Sequence, residues 1–456
     1  MFLSFLFFLE SEYHQLKKDE VLTVSFVGEN SQFIRLNNAK VRQTGLVDDA
    51  DIKLKMIANN RTCSGSFTLS GDDGVDLSRG SSEIERMRLE SKEILEDPYI
   101  VMPSESGSSH EVKSANGLAF NDAVDAIMPA VQGVDFVGVL ANGRMYRGNL
   151  NSLGQEHWFE TESFCLDYSL VTKEHQMVKG TFAGTDWNQD KYEAYLNNSK
   201  QKLKMMELKP VSVETGEYRT WFEPAAVSDF IDMFSWNGIS EASIQQGCSG
   251  FGKMRHDDVR LSPQFSVSED FSTGMVPKFN SDGETAPAVV PIISDGELVN
   301  TLVSSRTAAE YNTSTNFAES GEYLRSPKMQ PGNLRKDDVV NRIDTGLYLS
   351  NIHYLNWSDN PGGRITGLTR YACFWVKDGE IQGPINTMRF DDTFYKYFGD
   401  NLEQVGEETE FIPNTSTYGN REIGGTICPG VLALSLIHIS EPTRRTPISY
   451  AVFCLK

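Results

Sequence analysis

Two runs of strand length near the C-terminal end place the strongest constraint on the fold. Leu347 to Leu355 and Tyr371 to Val376 are apolar and aromatic, the composition that suits a pleated, half-buried surface. Between Val376 and Ile381 stands Lys377-Asp378-Gly379-Glu380. Its Asp-Gly pair tolerates the positive φ of a tight hairpin turn, so the flanking runs predict antiparallel strands. The stretch from Asp344 to Tyr395 therefore reads as part of a β core.

Upstream, Val21 to Val27, Gln32 to Leu36, Ala39 to Leu46, Asp51 to Met56 and Cys63 to Leu69 are short β-type segments. Gly28-Glu29-Asn30, Asn37-Asn38 and Ala58-Asn59-Asn60 separate them with turn chemistry, which predicts an antiparallel meander. From Ser81 to Glu96 the period becomes helical: Ile84, Met87, Ile94 and Leu95 share a face, and Pro98 ends the run. Asn121 to Val131 predicts a second helix, followed by strands Val134 to Leu140 and Met145 to Asn149 around an Ala141-Asn142-Gly143 turn. Strands at Glu160 to Val171 and Gln176 to Gly184 precede a polar helix over Gln189 to Met206. Lys209 to Val213 reads as a hinge, and Glu223 to Trp236 as a helix that admits Pro224 in its first turn.

A chain of 456 residues exceeds what one hydrophobic core usually organises. The expected fold class is α+β, with an N-terminal mixed α/β domain over 1–208 that combines an antiparallel sheet with helices. Its segments are 21–96 and 115–206. A C-terminal β-rich domain is expected over 209–433.

The formal net charge of −21 argues against nucleic acid, because phosphate binding needs a basic face that releases counterions. The apolar run Phe2 to Leu9 has no preceding basic residues, meets Glu10 and Glu12, and is too short to span a bilayer. It reads as the first turns of an amphipathic helix, and no membrane partner is expected. Six cysteines stand far apart without any C-x-x-C spacing, the pattern of reduced thiols, which points to the cytoplasm.

Several strings in the C-terminal half carry a resemblance: Y-L-S-N, Y-L-N-W-S-D, P-G-G-R-I-T-G-L-T-R, F-W-V-K-D-G-E-I and P-I-N-T-M-R-F-D-D. The chain resembles the TldD/PmbA family, and within it the TldE-like (PmbA-like), metal-free branch. Asn37 to Gln43 and Ala141 to Trp158 are similar to the family's first and middle segments. The resemblance implies a TldD/PmbA-type C-terminal domain and a metalloprotease system acting on unfolded or short peptides.

In the metal-bearing TldD branch the resemblance implies a helical H-E-x-x-x-H, with a distant cysteine as third ligand. Its imidazoles hold zinc and the glutamate takes a proton from metal-bound water. Aligning Gly238 with the glycine after the second histidine places Asp232 and Met233 at H-E and Asn237 at the second histidine. Methionine is no general base and asparagine is a poor zinc ligand. No histidine lies between His175 and His256, so a shifted alignment does not restore the motif. These degenerate positions imply no catalytic residue and no metal ligand here, with zinc expected in a TldD-like partner that would complete a peptide chamber. A metal-free peptide-binding homodimer and an independent hydrolase are the alternatives.

Other constellations read as structural. His256-Asp257-Asp258 has the look of a solvated turn, and Cys428 and Cys373 of buried thiols. Cys428 nevertheless falls near the place of the active branch's cysteine. A Cys-His pair joining Cys248 or Cys373 to His353 is the remaining nucleophilic arrangement. From Leu434 to Lys456 the sequence resembles translated sequencing-library adapter, so this tail is set aside, and the family's last β element is expected to end beyond Leu432 in a sequence not present.

Overall fold

The computed structural model describes residues 16–105 and 107–440. The Phe2 to Leu9 run and the tail from Glu441 lie outside the described residues.

The fold is α+β. Its first sheet begins with three antiparallel strands, β1 (Glu20–Asn37), β2 (Lys40–Ala58) and β3 (Arg61–Thr68), followed by helix α1 (Asp73–Glu90). Then come β4 (Ser109–Lys113), the short α2 (Ala123–Ile127), β5 (Asp135–Asn151), β6 (Glu156–Val171), β7 (Met177–Gly184) and α3 (Gln189–Met206). The seven strands run β3-β2-β1-β5-β6, with β4 and β7 sharing the outer side of β6.

Two expected turns are instead mid-strand. Gly28-Glu29-Asn30 pairs with Arg144-Met145-Tyr146 across β1 and β5, and Ser31 pairs with Gly143. Gly143 has φ +140°, and a Cβ there would stand 2.2 Å from the Asn30 carbonyl oxygen. This glycine marks close approach of two strands rather than a reversal. The α1 helix also starts earlier than its apolar period suggests, because the Asp72 carboxylate caps it by accepting from the Val75 amide. Over Asn121 to Val131 only Ala123–Ile127 is helical.

Ile84 and Met87 of α1 close one patch of core over Leu22, Val24 and Ile52. On α3, Tyr192, Leu196, Leu203 and Met206 cover Phe136, Leu166 and Val178 together with Ala372 and Phe374 from the second sheet. The two sheets therefore share apolar core.

The second sheet has eleven strands. After β8 (Gly216–Phe222) and α4 (Pro224–Phe234) come the short helices α5 (Glu241–Gln245) and α6 (Gly252–His256). Four short strands follow: β9 (Val267–Asp270), β10 (Val289–Ser294), β11 (Glu297–Leu298) and β12 (Pro327–Met329). The remaining strands are β13 (Gly346–Asp359), β14 (Arg364–Lys377), β16 (Met388–Thr393), β17 (Leu402–Pro413) and β18 (Gly425–Ser440), with β15 (Glu380–Pro384) on β14. Asp378 and Gly379 take φ +54° and +73°, forming the hairpin that their chemistry predicts.

Pairing runs β18-β16-β14-β13-β8 and returns from β8 to β18, so five strands form a closed ring. Closure removes the free edges of those strands. Helix α4 packs with Phe222, Leu349, Ile365, Phe390 and Val431, drawn from all five, and so occupies the ring.

Leu434 to Ser440 continue β18, although their sequence resembles a foreign tail. Leu434 to Ile437 pair with β8, and Ile437, Ile439 and Ser440 pair with β16. The string L-S-L-I-H-I-S has enough apolar residues at strand spacing for the sheet to accept it whatever its origin. Among the described residues no helix is long and apolar enough to cross a membrane.

Candidate functional site

Phe222 ends β8, and Pro224 starts α4 after a single linking residue. Proline suits this place because its fixed φ is helical and the first-turn amide has no intrahelical partner anyway. The helix P-A-A-V-S-D-F-I-D-M-F buries every side chain except those of Ala225, Asp229 and Asp232, which share its one less covered face. Two carboxylates interrupt it, Asp229 and Asp232, one turn apart and hence on one face.

Thr426 and Cys428, alternate residues on one face of β18, meet this part of α4. The Thr426 hydroxyl donates to Asp232 Oδ1 at 3.0 Å, and Cys428 Sγ donates to the Pro224 carbonyl at 3.2 Å. Asp229 accepts the backbone N–H of Ile352.

Burial, then the nearby Asp232 charge, raise the Asp229 carboxyl to about 7. Asp232 keeps accessible surface, yet surrounding protein displaces enough water to raise it to about 6, against the lowering effect of Thr426. Cys428 is fully buried, and desolvation reinforced by Asp232, Glu410 and Asp229 pushes its thiol well above the usual range. At neutral pH the site thus offers carboxyls that exchange protons and a thiol that stays protonated.

A cavity of about 250 Å³ opens between the two sheets, lined by Lys179, Lys202, Glu223, Tyr348 and Glu410 among others. Glu223 accepts from both Lys202 and Tyr348, tying α3 to the start of α4 and to β13. Lys179 is ion-paired with Asp167 at 2.5 Å and its charge opposes the rise of Asp229.

The three degenerate positions do not converge. Asp232 faces Thr426, whereas Met233 is fully buried in the core around α4. Asn237 lies beyond the helix, which ends at Phe234 rather than Trp236; Asn237 has φ +58°, is exposed, and accepts from Ser243 Oγ at 3.4 Å. The Gly238 amide donates back to the Phe234 carbonyl at 3.0 Å, turning the chain away. Asp229, absent from the sequence-based candidates, joins Asp232 instead. Its signal was available: two carboxylates at i, i+3 in an otherwise apolar helix are rarely placed there for packing alone.

The other candidates separate. His256, Asp257 and Asp258 are all exposed at the end of α6. Cys248 donates to the Ser243 carbonyl at 3.5 Å and Cys373 to the Arg370 carbonyl at 3.1 Å. The His353 ring lies against that of Tyr354 at a tilt of 48°. Cys373 Sγ also meets the Asn351 carbonyl at 3.8 Å, so its thiol is turned to main-chain oxygens rather than to the imidazole.

Among the described residues, no three His, Cys, Asp or Glu side chains are grouped to hold a metal. Zinc of the expected kind does not fit these donors, since the helix presents two partly protonatable carboxyls, no imidazole, and a cysteine held as the neutral thiol.

Residues 215–439 match the family model described as PmbA/TldA metallopeptidase C-terminal domain. No curated protein matches the chain. Among solved structures, TldE from Thermococcus kodakarensis is 15% identical with a TM-score of 0.76, covering 94% of this chain and 98% of its own. A Thermotoga maritima protein described as a candidate modulator of a DNA gyrase is 14% identical with a TM-score of 0.75, covering 95% and 99%. A Bacteroides thetaiotaomicron protein with a similar description is 12% identical with a TM-score of 0.74, covering 93% and 96%. These likenesses carry the fold along nearly the whole chain, and the matched C-terminal domain carries the family: the chain belongs to the TldD/PmbA family.

Proposed function

We propose that this chain is the metal-free subunit of a cytoplasmic TldD/PmbA-type protease, completing a chamber for unfolded or short peptides with a TldD-like partner that holds zinc. The observation that carries the reading is the constellation at α4. Where the metal-bearing branch is expected to present imidazoles, this helix presents Asp229 and Asp232 beside the protonated thiol of Cys428. Such a site has no strong zinc donor and no metal-bound nucleophile to supply. It can hold a polar main chain by hydrogen bonding, and the neighbouring cavity supplies both lysine and glutamate side chains.

The test is co-expression with an H-E-x-x-x-H-containing TldD-like chain from the same source. The expected result is a stable complex whose zinc and chelator-sensitive peptidase activity depend on the partner, with under about 0.1 zinc per chain when this polypeptide is purified alone. About one tightly held zinc in the isolated chain, or peptide hydrolysis by it that survives a chelator, would overturn the proposal. Peptide binding by the isolated chain with no partner and no turnover would support the homodimer reading instead.

A further inference from the structure

Another cavity, of about 780 Å³, lies where the loops around Phe279, Tyr323 and Ile423 cover the first sheet. Val27 of β1 pairs with Arg147 of β5, so both side chains stand on the sheet face that these loops cover. The cavity shares no lining residue with the one that Lys202 and Glu223 line. Its size suits a small molecule or a few peptide residues, and Val27, Val276, Phe279 and Tyr323 give it an apolar wall.

Two arginines line it together, and Arg147 Nη2 donates to the Arg421 carbonyl at 3.1 Å. They differ in the donors they have left. Arg421 is buried, with Nη1 and Nη2 bonded to Ser31, Gly143 and Ser163. Arg147 is half-buried and donates only to the Tyr146 and Arg421 carbonyls, so most of its donors stay unused. Among the described residues neither guanidinium has a carboxylate in ion-pair range.

Burial lowers the Arg147 guanidinium to about 10, and the like charge of Arg421 adds to this against the opposing pull of Glu29 and Glu422. The carboxylates that line the cavity are otherwise engaged. Asp51 accepts from Thr68 and Asn420, and Glu319 accepts from Ser281 while facing Arg325 at 3.8 Å. Lys53 and Glu422 are exposed, and water screens both.

We propose that this cavity binds a carboxylate carried on an apolar body, with Arg147 as its anchor, and that the C-terminal end of a short peptide is the form that fits it. A guanidinium grips a carboxylate through parallel N–H bonds, and such charge-assisted pairs are stronger than neutral ones. The apolar wall takes the last side chain. A free organic acid with an aromatic body carries the same chemistry. The inference needs neither zinc nor a partner chain, and it holds alike for a chamber subunit and for a chain that binds peptides by itself.

The experiment is isothermal titration calorimetry of the full chain with N-acetyl-Ala-Ala-Phe, as the free acid and as the C-terminal amide. The acid is expected to bind at least about tenfold more tightly, because only the acid brings a charge to the guanidinium. R147Q keeps a donor for the carbonyls but no charge, and is expected to bring acid and amide to the same weak affinity, with R147K recovering part of the difference. Y323A trims the apolar wall and is expected to weaken acid and amide alike. No binding of the acid, equal binding of acid and amide by the wild type, or undiminished binding of the acid by a folded R147Q would overturn the proposal. The acid-to-amide ratio in the wild type decides the matter even where a variant does not fold. Titration with 3-phenylpropionate separates the two sources: tighter binding of the tripeptide assigns the carboxylate to a peptide end, the reverse assigns it to a free acid, and both keep Arg147 as the anchor.

Discussion

Thr426 on β18 donates its hydroxyl to Asp232 on α4 over 3.0 Å, linking the wall of the strand ring to the helix that fills it. This bond favours the ionised carboxylate and is what holds Asp232 down against desolvation, which still raises it to about 6. Replacing Thr426 with valine keeps the shape and removes the donor. T426V is expected to move the Asp232 titration upward by about half a unit to one unit, read by carboxyl NMR. An unchanged titration would show that the bond does not tune the carboxyl.

Asp229 gives a pH dependence of defined sign. Its carboxyl is raised to about 7 in the folded chain, by burial first and by Asp232 second, against about 4 when unfolded. Between those values the folded state holds a proton that the unfolded chain has released, so this residue makes stability fall as pH rises from about 4 to about 7 and adds no further slope above that. D229N has no proton to lose and keeps an acceptor for the Ile352 amide. The variant is expected to match the wild type near pH 4 and to exceed it by about 1–3 kcal/mol near pH 8, measured by urea unfolding at both pH values. An equal loss at both would mean that the carboxyl group makes a contact the amide does not replace, whatever its charge.

Arg421 joins the second sheet's loop to the first sheet. It is buried at 4% exposure, donating to Ser31 Oγ at 3.1 Å and to Ser163 Oγ at 2.9 Å, while Glu29 accepts its backbone N–H at 3.1 Å. Truncation leaves the serine acceptors without their donor. R421A is expected to cost about 2–4 kcal/mol and to speed proteolytic nicking in the 414–424 loop. R421K is expected to recover little of this, because an ammonium cannot span the same fork of acceptors. Wild-type resistance to nicking in R421A would place the clamp elsewhere.

Gly143 tests the close strand approach. A methyl group at this residue would meet the Asn30 carbonyl oxygen at 2.2 Å, at a φ of +140° that side chains disfavour. G143A is expected to lose more than about 3 kcal/mol, seen as a large drop in melting temperature or in soluble yield. Tolerance of alanine would mean that Asn142-Gly143 forms a flexible turn after all.

Local chemistry determined a good deal by itself. The strand runs around Tyr348 and Phe374, the Asp378-Gly379 hairpin, the α3 helix and the Pro224 start of α4 all follow from spacing and backbone preference, which act over a few residues. The family strings between Asp344 and Tyr395 added the identity of the second half. The lack of histidine from Gln176 to Arg255, a stretch that includes the whole of α4, is equally plain in the chain itself.

What only the tertiary structure decided are relations between residues far apart in the chain. Asp229 became part of the site because β18, much later in the chain, returns along α4 and brings Thr426 and Cys428 to its carboxylate face. Asn237 left it because the chain turns away after Phe234, a matter of how Gly238 and Phe251 pack. Gly28 and Gly143 have the composition of turns, yet they lie within paired strands, since a neighbouring backbone rather than local preference fixes their conformation. Spacing along a chain reports which face a residue shares with its near neighbours; ring closure, desolvation and the resulting proton affinities depend on which distant segment covers that face, and only the assembled sheets supply it.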